Sequence, residues 1–162
     1  MYKDLIYSTE RATERSVSEM EERLGIKLSA HFREFCQNFG NAKFKDAEIV
    51  AKHSKLNQSS YGVREFFGVE KVGALEIENW NTDYIAFAED AFGNFFIFKK
   101  SEMDAVYFLE HETDELDYVA GSFEDFLDGI VKANYDDLPS VKNAEVWIDP
   151  EFLKLQKDLG NA

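Results

Sequence analysis

The chain has 162 residues, a single cysteine and a formal net charge of −14. That length can bury a core without a disulfide or a structural metal, and Cys36 alone permits neither an internal disulfide nor a cysteine-based zinc site. No run of eighteen apolar residues occurs, and the start, MYKDLIYSTERATERS, lacks a basic stretch followed by an apolar one, so the expectation is a cytoplasmic protein that crosses no membrane.

The charge is unevenly spread. Residues 1–60 carry ten Lys/Arg against nine Asp/Glu, whereas residues 61–162 carry eight against twenty-three. Within 101–140, twelve acids stand against one base, Lys132. A surface of this sign repels nucleic acid, whose affinity for protein rests on Lys and Arg at phosphates. It attracts a basic protein and speeds its arrival. The plainer reading is a solvated acidic face that serves solubility.

In chain order, Tyr2 to Arg15 suggests a short N-terminal helix. Ser16 and Glu19 have capping-box spacing and predict a helix start at Ser16, with Val17, Met20 and Leu24 inward and Gly25 as the stop. Ser29 predicts the cap of a second helix, with Phe32, Phe35, Cys36 and Phe39 on one stripe and Gly40 as its end. Phe44 to Val50 reads as a strand, His53 to Ser60 as a polar loop, and Gly62 to Phe67 as a further strand. Val72 to Trp80 has the spacing of a helix.

The segment YIAFAEDAFGNFFIFKKSEMDAVYFL, from Tyr84 to Leu109, is the centre of the sequence and predicts three successive strands. Tyr84–Ala88 is the first. Phe95–Phe98, apolar at every position, should be covered on both faces. Ala105–Leu109 is the third. Between the first two, Asp90 can bond its own backbone two residues on, and Gly93 can take positive φ. Lys99 to Asp104 is a polar connection. Beyond the meander, Glu110 to Asp117 reads as an acidic turn and Tyr118 to Ala120 as a brief strand. Ser122 with Asp125 predicts the start of a helix whose apolar face is Phe123, Phe126, Leu127, Ile130 and Val131. Asp149-Pro150 marks another helix start. Repeats and interdomain linkers are absent from the sequence, so a single domain over 1–162 is expected, with a core of about 1–133 and an extension over 134–162.

Catalytic patterns are not evident. His31, His53 and His111 lie far apart, without an HExxH pair or a Cys/His cluster. His111 sits among Glu110, Glu112 and Asp114, a grouping that reads better as a solvated turn than as a metal site. Asp90 to Asn94 lacks the spacing of a calcium loop. Adjacent carboxylates such as Glu89 and Asp90 point to opposite sides of a strand and do not suggest paired acid–base work. Cys36, on an apolar stripe, reads as buried and inert. Trp80 and Trp147 read as packed side chains, with exposed anchors as the alternative.

Three segments, in order, resemble the SUKH superfamily, which includes fungal cell-wall assembly regulators and many bacterial immunity proteins. The first runs from Glu21 to Phe35, EERLGIKLSAHFREF, similar to a helix ending in Leu-Gly followed by a helix with spaced aromatics; Ser29 stands where that family usually has proline. The second is Ile85 to Phe96, similar to its strand, acidic Gly-rich turn and strand, with Ala91 and Phe92 departing from the usual glycines. The third takes Val106-Tyr107-Phe108 through His111-Glu112 and then Ser122 to Leu127, similar to its closing strand and last helix. The resemblance implies an α+β fold, a largely antiparallel sheet with helices packed on it, no catalytic activity and no cofactor. It also implies a frequent role in binding and neutralising a toxin, often a nuclease. The alternative is a scaffold or regulatory module like that of the fungal relatives. For a toxin contact the acidic half nominates Glu89, Asp90, Glu110, Glu112, Asp114, Glu115, Asp117, Asp136 and Asp137, facing a basic partner.

Overall fold

The computed structural model describes residues 2–51, 60–73 and 80–134. Among them the order is a 3-10 turn at Tyr2–Leu5, β1 (Ile6–Ser8), α1 (Glu14–Leu24), α2 (Ala30–Asn38), β2 (Lys43–Val50), β3 (Ser60–Phe66), β4 (Tyr84–Glu89), β5 (Phe95–Lys99), β6 (Glu102–Leu109), β7 (Leu116–Ala120), α3 (Phe123–Gly129) and β8 (Ile130–Lys132). The strands form one eight-stranded sheet in the order β1-β2-β3-β4-β5-β6-β7, with β8 also pairing β2. All its ladders are antiparallel. The fold is α+β, as expected.

The aromatic meander sets the centre. Phe95, Phe96, Ile97 and Phe98 are all buried, because β5 is covered on both sides. Phe96 meets Phe126 of α3, and Phe98 meets Phe32 of α2 and Phe123 of α3. Phe95 instead packs against Phe67 and Trp80. Edge-to-face pairs such as Phe32–Phe123, with ring centroids 4.9 Å apart, add to the area they bury.

The sheet is strongly curled. Tyr61 of β3 stacks on Phe108 of β6 with centroids 4.1 Å apart. In a flat sheet three ladder steps would separate these strands by about 14 Å. β3 pairs β4 only at Glu65↔Glu89 and Phe66↔Ala88, so its first half is free to swing towards β6 and β7. The Tyr61 hydroxyl then donates to the Asp117 carboxylate at 2.5 Å.

The helix starts follow side-chain chemistry, with one correction. α1 begins a turn earlier than Ser16: Thr13 is the N-cap, and its hydroxyl accepts from the Ser16 N–H at 3.1 Å while the Ser16 hydroxyl accepts from the Thr13 N–H at 2.9 Å. Ser16 thus plays the part assigned to Glu19, because Thr13 supplies the capping oxygen three residues upstream. Gly25 closes α1 at φ 66. Ser29 caps α2 and Ser122 caps α3, as expected.

Three further expectations change. The N-terminal segment forms a 3-10 turn and a strand in place of a helix. α3 ends at Gly129, and Ile130–Lys132 pairs with β2; Ile130 is buried and Val131 exposed, the alternation of a strand. The polar connection shrinks to Lys100-Ser101, because Lys99 pairs across to Glu102 and lengthens both strands. Of the helix expected over Val72–Trp80, residues 74–79 lie outside the described residues, and Gly73 forms a bridge with Ala86. The loop residues 53–59, with His53, and the helix expected at Asp149-Pro150, with Trp147, also lie outside them.

Candidate functional site

Two turns at one end of the meander carry the most distinctive surface. The β4–β5 turn is closed by Asp90. Its Oδ1 accepts from the Phe92 N–H at 2.8 Å and from the Asn94 N–H at 2.9 Å, and its Oδ2 accepts from the Asn94 side-chain amide at 2.9 Å. The Asp90 N–H donates to the Asn94 carbonyl at 3.0 Å, and Gly93 takes φ 87. A short aspartate beside a glycine is the residue pair such a turn needs. The result holds Phe92 outward, 83% exposed.

The β6–β7 turn is the acidic one. Glu110 donates its N–H to the Glu115 carbonyl at 3.0 Å, the Thr113 hydroxyl donates to the Glu110 carboxylate at 2.6 Å, and Asp114 adopts φ 57. Glu112, Asp114 and Glu115 are exposed, and Glu110 is partly so. No Lys or Arg among the described residues lies within ion-pair distance of these four. Asn94 joins the turns: its Oδ1 accepts from the His111 N–H at 3.2 Å and lies 2.8 Å from His111 Nδ1.

The nine nominated carboxylates therefore divide. Glu110, Glu112, Asp114 and Glu115 share one turn. Glu89 ends β4, half-buried, with Arg64 Nη1 3.4 Å from its carboxylate. Asp90 and Asp117 are corrections: both are buried, and both carboxylates are spent on internal hydrogen bonds. Burial follows from position, since β7 starts at Leu116 and carries Asp117 inward opposite Phe108. Asp136 and Asp137 lie outside the described residues. The nominations missed Phe92, whose signal was its place between Asp90 and Gly93, where a polar residue or glycine is usual.

Elsewhere the titratable groups serve the fold. Burial drives the Cys36 thiol up to about 12, so it is protonated at neutral pH and poor as a nucleophile. Burial also pushes the Glu21 carboxyl up, but the Leu28 N–H at 3.0 Å and the Arg33 guanidinium outweigh it and the net shift is downward. Arg33 also reaches Glu14, and so ties α2 to α1. Among the described residues, no group of three or more His, Cys, Asp and Glu is placed to hold a metal ion, and no helix is long and apolar enough to cross a membrane.

These features define a class: a curled antiparallel sheet with helices on it, whose most distinctive surface is a joined pair of turns, one acidic and one carrying the exposed Phe92. The chain belongs to the SMI1 / KNR4 family (SUKH-1), whose model matches residues 11–129. The match takes in α1 to α3 and all three segments that carried the resemblance. The superfamily includes toxin-immunity proteins and fungal regulators. No curated protein matches the chain.

Proposed function

We propose that this chain is an immunity protein, acting in the cytoplasm, that binds a toxin with a basic surface and blocks it without chemistry of its own. The observation that carries this reading is the β6–β7 turn: Glu112, Asp114 and Glu115 are exposed and Glu110 partly so, with no Lys or Arg beside them among the described residues. A partner can recruit such carboxylates without breaking an internal ion pair. On a nuclease they stand where the enzyme's basic site expects phosphates, and they steer encounter at low salt. Glu89 borders this face, and Asp136 and Asp137 are nominated from the sequence as further contacts. The whole chain acts as one domain, with 134–162 as an extension of the family core.

The test is co-purification of the full chain with the product of the gene directly upstream, followed by calorimetry at two salt concentrations. Binding that weakens as salt rises, with a smaller salt slope for the combined Glu110→Gln, Glu112→Gln and Glu115→Gln variant, supports the reading. An unchanged affinity and slope in that variant remove the turn from the interface. A chain whose gene can be deleted alone without harm, with no toxin gene beside it, is a scaffold module instead.

A further inference from the structure

We infer that Phe92 is the apolar anchor of this interface and that the shallow groove beside it receives an apolar side chain from the same basic partner. The inference rests on the immunity reading and adds to it what the carboxylates lack, a point of contact that excludes water.

Three observations carry it. Phe92 is 83% exposed, the most exposed of the large hydrophobics among the described residues. It is not loosely held: the Asp90 bonds on either side and Gly93 at φ 87 fix the turn beneath it. A pre-shaped aromatic loses little conformational freedom on docking, which is why such residues dominate binding energy in small interfaces. Beside it runs a groove of about 410 Å³, walled by Phe92, Ala91, Ala47, Val63 and Ala133, with Asp46 and Glu48 on its lining.

Charge selects the occupant. The acidic turn is joined to the Phe92 turn through Asn94 and His111, so the two turns lie side by side. Arg64 is the groove's own cation, and Glu89 sits 3.4 Å from it. A second copy of this chain would bring a net charge of −14 against the same sign, whereas a basic protein offering an aliphatic or aromatic side chain among Lys and Arg meets both the ring and the acids. Anchor and charge then divide the work, the ring slowing dissociation and the acids speeding association.

The experiment compares the full wild-type chain with its Phe92→Ala and Phe92→Leu variants, using the product of the upstream gene as probe, by calorimetry at low and high salt. Sedimentation of each chain alone accompanies it. The expected result is affinity about 30-fold or more weaker for Phe92→Ala at both salt concentrations, substantial recovery in Phe92→Leu, and an unchanged melting temperature. Affinity within about threefold of wild type in Phe92→Ala overturns the anchor and leaves the immunity reading standing. A wild-type chain that does not bind the probe at all overturns both. A wild-type dimer that Phe92→Ala dissociates overturns the basic partner and gives the face to self-association.

Discussion

Phe96 and Phe92 stand four residues apart and meet opposite fates. Phe96 is wholly buried between Phe108 and Phe126, and Phe92 is 83% exposed at the tip of a turn. Their residue type is the same, but Phe92 stands in the turn sequence 89–94 and Phe96 in the apolar run Phe95–Phe98. The difference originates at Asp90. Its carboxylate claims the N–H groups of Phe92 and Asn94, so the chain reverses there and cannot continue as a strand. Past the turn the ladder to β4 and β6 resumes, and every apolar side chain of β5 finds a partner. Burial is thus a property of the pairing and not of the side chain.

The two regions also treat carboxylates differently. On the helix side, Glu21 is almost enclosed and carries the Leu28 N–H and Arg33. On the turns, the carboxylates of Glu112, Asp114 and Glu115 are exposed and have no such cation among the described residues. The first kind of group stabilises the molecule, and the second is open to a partner.

The largest perturbation should come from the buried aromatics. Phe123→Ala removes a ring shared with Phe32, Phe35, Phe66, Phe87 and Phe98, and is expected to cost about 3–5 kcal/mol in urea unfolding. A loss no larger than that of a surface substitution would break the contrast between the two regions. Asp90→Ala comes next, at about 1–3 kcal/mol, because three donors lose their acceptor. It should also raise amide exchange at Phe92 and Asn94, while leaving exchange in α1 unchanged.

Gly93→Ala isolates conformation from space. A Cβ there would meet nothing closer than His111 Cε1 at 3.8 Å, so the cost is the positive φ alone, about 1 kcal/mol in the same urea measurement. The smallest effect is the most diagnostic for the carboxylates. Glu21 has a folded pKa below its unfolded one, so its contribution is fully present above the ordinary value of about 4.3 and fades as pH falls through the lower folded value. Glu21→Gln should flatten the acid limb of stability measured from about pH 5 to pH 3. Glu112→Gln should alter the salt dependence of binding.

Much of the fold was legible because its causes are local. Ser29, Ser122 and Gly25 act within one turn of their helices, and Phe95–Phe98 reads as a doubly covered strand wherever it sits in the sheet. The β4–β5 turn was legible for the same reason, in the pairing of Asp90 with Gly93. Ile130 and Val131 were not. Their spacing continues α3, and it is the open edge of β2, far earlier in the chain, that takes them as a strand.

By itself the sequence determined the class of fold, the N-caps of α2 and α3, the aromatic centre and an acidic turn between β6 and β7. Tertiary structure alone decided which carboxylates belong to that surface. Asp117 is removed from it by Tyr61, a residue 56 positions away that reaches it because the sheet curls. Asn94 and His111, 17 positions apart, set the acidic turn beside the turn that carries Phe92. Composition fixes how many charges and rings a chain carries. Where they face depends on contacts between distant segments, which no local preference encodes.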